Sequence, residues 1–257
     1  MSQFNALAAH YDELMEVVPY DSWADYVMML FHIADHAPKR LLECACGTGN
    51  VSFQLAKTVP CVVGVDIAGA MIEVANRKIA DFAGQIQGEI RFFEADLTQF
   101  SLGETFDCAT CLYDSLNYIL EPAKLEAAFG QIAAHVEDGG VFVFDMNSDY
   151  ALTADLFTQH NRDPRRSLHY DWRATFDENT RVTTVDMLFT RFDGHGQPTQ
   201  FSEQHRERAY ELPEIEAMLA RTGWEIVRIY DAYTLNLPHS KSERWFFVVR
   251  KAASPRD

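Results

Sequence analysis

The sequence predicts an α/β fold: one doubly wound, mostly parallel sheet of seven strands, interrupted by an antiparallel β insertion. Three observations predict it. From residue 40, short apolar runs alternate with helical stretches, the pattern of buried parallel strands joined by helices. A glycine-containing turn, C-G-T-G-N (46–50), follows the first run, at the end of the strand where such sheets bind ligands. Residues 160–210 then change to period two, which marks strands with one buried face.

The elements follow in order. Residues 1–38 read as two helices forming a lid. Phe4, Leu7, Ala8 and Tyr11 recur at helical spacing, Pro19 breaks the pattern, and Asp21 can cap a second helix bearing Trp23, Tyr26, Val27, Leu30 and Phe31. Residues 39–159 form the α/β core. Its strands are R-L-L-E-C-A, C-V-V-G-V-D, I-R-F-F-E-A-D, F-D-C-A-T-C-L and G-V-F-V-F-D. Residues 160–210 read as a meander of three strands, polar on one face, with turns at D-E-N-T and D-G-H-G-Q-P. In residues 211–257, Pro213 opens a helix that ends at Gly223, and W-E-I-V-R-I-Y-D and R-W-F-F-V-V-R-K complete the sheet.

Composition narrows the function. With 257 residues, 47% hydrophobic and 23% charged, the chain can bury a sizeable core. Its 22 Lys+Arg against 38 Asp+Glu give a net charge of −16, which argues against a general nucleic-acid binder. No apolar run is long enough to cross a membrane, and the N-terminus lacks the basic start of a signal peptide. Five cysteines, an odd number set in apolar runs, point to a reducing cytoplasm. Cys108 and Cys111 have a metal-ligand spacing. Residues three apart on a strand face opposite ways, however, so buried thiols are the expectation and no metal is expected.

The chemistry concentrates in L-L-E-C-A-C-G-T-G-N (41–50). Gly47 and Gly49 permit a tight turn and close approach of a ligand. A dinucleotide fingerprint needs a third glycine, and Asn50 stands there. Glu43 precedes Gly47 by four residues, and a carboxylate there suits an amine-bearing ligand better than a pyrophosphate.

These residues resemble the first motif of the class I S-adenosylmethionine-dependent methyltransferases, with Ala45 in the place of the first glycine. The resemblance runs on through V-V-G-V-D-I-A-G-A-M, E-A-D-L and F-D-C-A-T-C-L-Y-D-S-L-N-Y. It implies a Rossmann-like methyltransferase sheet and S-adenosyl-L-methionine as cofactor. It implies that Asp66, followed by Ile67, accepts the ribose hydroxyls, and that Met71 lies near the adenine. Asp96 and Leu97 would bond the adenine edge. Leu112, Tyr113 and Asp114 would sit beside the methionine part, with Glu43, Ala45, Gly47 and Gly49 forming the turn beneath. Tyr11, Tyr20 and Trp23 would cover the cofactor. The chemistry is consistent, because acids at successive strand ends face a ligand whose ribose, adenine and amino groups all donate.

The acceptor is less well marked. D-S-L-N has Ser115 and Leu116 where nucleobase amino methyltransferases carry prolines. The insertion holds eight arginines, eight acids and no lysine, and arginine suits carboxylate or phosphate recognition. Asn117, His169, Arg206, Arg208 and Tyr210 are therefore the candidate acceptor contacts, with His205 also weighed. Arg206 and Arg208 form an anion clamp in this reading, set against salt-bridged exposure of the sheet. The expected activity is in-line transfer of a methyl group to N or O of a small molecule. Relatives of this kind imply a homodimer. A non-catalytic cofactor-binding regulatory module and, with less support, a nicotinamide-dependent oxidoreductase are the alternatives.

Overall fold

The computed structural model describes residue 4, residues 7–86 and residues 88–253. Seven strands form the main sheet: β1 (Arg40–Cys44), β2 (Cys61–Asp66), β3 (Glu89–Glu94), β4 (Phe106–Cys111), β5 (Val136–Asn147), β10 (Trp224–Asp231) and β11 (Arg244–Lys251). Their order is β10-β11-β5-β4-β1-β2-β3. β1 to β5 pair in parallel. β11 runs antiparallel to both its neighbours, since it follows β10 without a crossover helix. The chain winds outward from β1 in one direction and from β4 in the other. The C-terminal ends of β1 and β4 therefore flank the crevice where such sheets take ligands.

Both faces of the sheet are covered, which is why its strands read as unbroken apolar runs. On one face, α5 (Pro122–His135) and α7 (Leu212–Arg221) pack Phe129, Ile132, Ile215 and Leu219 against Leu42, Ala109 and Phe144. On the other, α2 (Tyr20–Ile33), α3 (Asn50–Leu55) and α4 (Gly69–Phe82) pack Leu30, Phe31, Phe53 and Ile72 against Leu41, Val62 and Val143. Cys108 and Cys111 fall in opposite layers, as their spacing requires, and all five thiols are free and buried.

The N-terminus departs from two regular helices. Ala8–His10 is a single 3-10 turn, and α1 (Tyr11–Leu14) is one α turn. The backbone amides of Phe4 and Leu7 turn instead to the Glu203 carboxylate, at 3.0 and 2.8 Å. Asp21 does not cap α2. The helix starts one residue earlier behind Pro19, and Asp21 accepts only from the Ser22 amide.

The insertion is a four-stranded antiparallel sheet rather than a three-stranded meander. It comprises β6 (Gln159–Asn161), β7 (Leu168–Asp177), β8 (Val182–Phe192) and β9 (Pro198–Arg208), in that order. β6 is three residues long, too short to display a period. A short helix, α6 (Asp149–Thr153), leads into it, with the Ser148 hydroxyl accepting the Ala151 amide. The inner face buries Leu168, Val185, Met187 and Phe189 against Leu7, Tyr11 and Trp172. The outer face is polar, as the alternation predicts.

Candidate active site

A cavity of about 590 Å³ opens above the C-terminal ends of β1, β2 and β4, between the N-terminal segment and the inner face of the insertion. That size suits a small-molecule ligand. Its floor is the turn after β1. Ala45, Gly47 and Gly49 all have positive φ, at 54°, 56° and 78°. Alanine in that region carries a steric cost, which explains the usual preference for glycine at position 45. A Cβ on Gly47 would meet nothing within 4 Å, whereas one on Gly49 would strike the Phe92 ring at 2.7 Å. Gly47 thus leaves its backbone open to a ligand, and Gly49 serves helix–sheet packing.

The acids at the strand tips are held by nearby backbone. Asp66 accepts the Gly47 amide on one oxygen and the Ala68 amide on the other, at 2.9 and 2.8 Å. Burial nevertheless leaves its carboxyl above the ordinary range. Asp96 lies two residues beyond β3 and accepts the Thr98 amide and hydroxyl and the Gln99 side chain. These donors outweigh its burial and hold it below the ordinary range. Glu43 is buried and accepts the Ser52 hydroxyl. Burial pushes its carboxyl up to about 7.

After β4 the backbone is strained. Tyr113 and Asp114 have φ of 64° and 53°, each a conformation that needs compensation. Asp145, at the end of β5, supplies it by accepting both of their amides. The Arg244 guanidinium bonds Asp145 and also Asp114, the latter at 2.7 Å, and it lies 5.3 Å from the Tyr113 ring. Glu207, 3% exposed, reaches in from β9 and accepts the Asn147 side-chain amide at 2.8 Å. Burial, then the neighbouring Asp114 charge, drives the Glu207 carboxyl well above the ordinary range. Burial also pushes Asp114 up to about 6, against the opposing pull of Arg244. Asp114 and Asp145 share one guanidinium, and Glu207 stands beside them.

Aromatic rings close the top. Trp23 lies 5.1 Å from Tyr113 and 5.7 Å from Tyr20, centroid to centroid. Asp12 ties the N-terminal segment down by accepting from Thr48, Asn50 and Lys78, at 2.6, 2.9 and 2.7 Å. Tyr118 and His205 stand deeper, under the insertion, and both line the cavity.

The sequence-predicted cofactor residues come together. Tyr11, Tyr20, Trp23, Glu43, Ala45, Gly47 and Asp66 line this one cavity, with Ile67, Met71, Asp96, Leu97, Leu112, Tyr113 and Asp114. Gly49 stands behind the turn and is not among the lining residues.

The five candidate acceptor contacts are not among them either. Asn117 is a buried strut between the ends of β5 and β9: its side chain bonds the backbone of Asn147 and the Arg208 carbonyl. His169 bonds the Asp163 carbonyl. Arg208 donates to the Thr180 carbonyl and lies over the Tyr210 ring, and the Tyr210 hydroxyl is spent on the Ile119 carbonyl. Arg206 is on the exposed face of β9. The anion clamp therefore stands on the wrong side of its sheet. Period two showed that Arg206 and Arg208 share a face and Glu203, His205 and Glu207 the other. It did not show which face turns inward. Glu207, Arg244, Trp172 and Tyr118 were missed. A lone charge opening the apolar strand R-W-F-F-V-V was the available signal for Arg244.

Known proteins agree with this architecture. A methyltransferase-domain family model matches residues 41–140. A protein of Geobacillus sp. (strain WCH70), described as a methyltransferase, is 30% identical over 253 residues, covering 96% of this chain and 99% of that one. The crystal structure of an S-adenosylmethionine-dependent methyltransferase from Clostridium acetobutylicum ATCC 824 superposes with a TM-score of 0.85 at 28% identity. It covers 97% of this chain and 99% of its own. An amino-sugar N,N-dimethyltransferase of Streptomyces venezuelae, acting on dTDP-3-amino-3,4,6-trideoxy-α-D-glucopyranose, is 25% identical over 79% of this chain and 84% of its own. With the glycine turn, the acidic strand tips and the seven-stranded order all in place, the chain belongs to the class I S-adenosylmethionine-dependent methyltransferases.

Proposed function

We propose that the protein moves the methyl group of S-adenosylmethionine to a nitrogen or oxygen of a small-molecule acceptor. The observation that carries this reading is the single continuous cavity, with acidic strand tips at one end and the inner face of the insertion at the other. The residues fit the cofactor. Asp66, Asp96 and Glu43 are acceptors matched to a diol, an adenine edge and an α-amino group. The open face of Gly47 gives a ligand access to the backbone. We assign Asp66 and Ile67 to the ribose, Met71, Asp96 and Leu97 to the adenine, and Glu43, Ala45, Gly47 and Leu112 to the methionine part. Tyr113 and Asp114 border the methyl group, and Tyr11, Tyr20 and Trp23 cover it.

The bound cofactor supplies an already activated methyl group. The chain's own contribution is to hold the acceptor in line at about 3–3.5 Å and to exclude water. Val185, Met187 and Trp172 form an apolar wall for the acceptor. The amino-sugar activity of the Streptomyces relative supports an acceptor of this size. The five free thiols support a reducing compartment as its place of work.

A screen tests the reading: small amines, alcohols, carboxylates and nucleotide-linked amino sugars, with release of S-adenosylhomocysteine as the readout. Turnover of an amine or hydroxyl compound is expected. Tight NAD binding without S-adenosylmethionine binding would overturn it.

A further inference from the structure

Tyr118 lies in the 3-10 turn Ser115–Tyr118 that follows β4, and His205 lies on β9. The Tyr118 hydroxyl and His205 Nδ1 are 3.1 Å apart, and His205 Nε2 is 2.8 Å from the Glu203 carboxylate. His205 is 2% exposed, and the Glu203 side chain is 8% exposed. Glu203 also accepts the Phe4 and Leu7 amides. Burial works against its charge, but the His205 contact and these two amides outweigh it, so Glu203 is ionised. An ionised Glu203 can only accept, so the His205 proton sits on Nε2. In the neutral ring Nδ1 then accepts, and Tyr118 donates to it. Tyr118 itself lines the cavity.

We propose that this Tyr118–His205–Glu203 chain is a proton relay serving the methyl acceptor. The inference rests on the reading above, in which the methylated atom is a nitrogen or oxygen, and it specifies that this atom carries a hydrogen. As the acceptor's lone pair forms its bond to the methyl carbon, the electron pair of the broken C–S bond stays on sulfur as a thioether. The acceptor's proton passes to the Tyr118 oxygen while the phenolic proton passes to His205 Nδ1. The resulting imidazolium faces Glu203, as in the general logic of a nucleophile, base and orienting acid. The proton then leaves to solvent.

The surroundings suit this role. The Phe4 ring packs 4.4 Å from the His205 ring and 5.4 Å from the Tyr118 ring, which keeps the chain dry. Burial, then the neighbouring Glu207 and Asp114 carboxyls, hold the Tyr118 phenol well above its ordinary range. Tyr118 is thus a relay and not a standing phenolate. It is the catalytic residue of the chain, and His205 and Glu203 are positioning residues. The Glu207–Asp114 pair is not the proton sink, because Glu207 is engaged by Asn147 and Asp114 by Arg244.

Two measurements on the full-length chain test the relay. The first is nitrogen NMR of the histidine-labelled protein at pH 7.5, with S-adenosylmethionine absent and then present. A His205 proton fixed on Nε2 is expected, with the Nδ1 signal moving in Tyr118→Phe. A proton fixed on Nδ1 would overturn the proposal, as would a fully protonated ring. The second uses the best amine or hydroxyl acceptor from the screen. Tyr118→Phe should lower kcat about 100-fold, in the range of general acid–base catalysis, with S-adenosylmethionine affinity within about twofold. His205→Gln should behave alike, and both variants should regain rate at high pH, where a hydroxyl acceptor ionises, or an amine sheds its proton, without help. A loss below about threefold in Tyr118→Phe would overturn the relay. Failure of the wild-type chain to bind S-adenosylmethionine would instead overturn the functional reading. If the screen yields no turnover, the NMR result decides.

Discussion

At the strand tips, Asp66 and Asp96 are held by groups of their own turn or the next one: Ala68, Gly47, Thr98 and Gln99. Beneath the insertion, the central polar contacts join groups from far along the chain. Asn147 bonds Glu207 across 60 residues, Tyr118 meets His205 across 87, and Arg244 reaches Asp114 across 130. The first arrangement is local backbone geometry and survives the loss of a side chain. The second is a buried side-chain network that exists only in the assembled fold, and removal of one member strands the others. Binding and folding are separable at one end of the cavity and inseparable at the other.

The largest effect that would break this contrast is expected at Arg244. Arg244→Met leaves Asp114 and Asp145 buried without their cation, and should cost about 3–5 kcal/mol of stability. Denaturant titration reads it directly, and a loss below about 1 kcal/mol would show that the network tolerates a missing member. Next comes Glu43, buried at the end of β1. Its folded pKa is raised to about 7 from 4.5, so its contribution is fully present below pH 4.5 and is lost as pH rises through 7. Glu43→Gln should flatten that part of the ligand-free stability profile and gain about 2–3 kcal/mol at pH 8. An unchanged slope between pH 5 and 8 would argue against it.

Asp66→Ala comes third and tests the local end. Two ribose hydroxyls donating to one carboxylate are worth about 1.5–3 kcal/mol each. Calorimetry should therefore show at least tenfold weaker S-adenosylmethionine binding, with a melting temperature within about 3 °C of wild type. An unchanged affinity would leave Asp66 as a turn-former only. The smallest effect belongs to the outer face of β9. The variant Arg206→Ala should change acceptor KM and cofactor affinity by less than about twofold, and stability by at most about 1 kcal/mol. A several-fold rise in acceptor KM would place an anion site where the geometry has none.

Legibility in the sequence followed the same division. The seven-stranded sheet, the glycine turn and the acids at 43, 66 and 96 are local patterns: a short run, a turn and a charge at its end. Each could be read without knowing its neighbours. The lid end could not. Alternation along β9 has two parities, and only contact with Leu7, Phe4 and Tyr118 decides that His205 and Glu207 face inward. Asn117 was singled out as a polar residue near the site, and its role as a strut depends on Asn147 and Arg208 arriving beside it. The insertion's arginines likewise lacked visible partners in sequence. Two of them, Arg166 and Arg191, turn out to meet Glu16 and Glu13 of the N-terminal segment.

Those two ion pairs have a kinetic consequence. Phe4, Leu7, Tyr11, Leu14 and Met15 form one wall of the cavity, so traffic on that side requires the segment to lift. Asp12 ties it to Lys78 of the core, and Glu13 and Glu16 tie it to the insertion's arginines, every one of these pairs being partly exposed. Added salt screens surface charges over about 10 Å at 0.1 M and half-buried ones far less. Added salt is therefore expected to loosen the pairs to Glu13 and Glu16, and product release that speeds up with ionic strength while methyl transfer stays unchanged is the outcome that would show it.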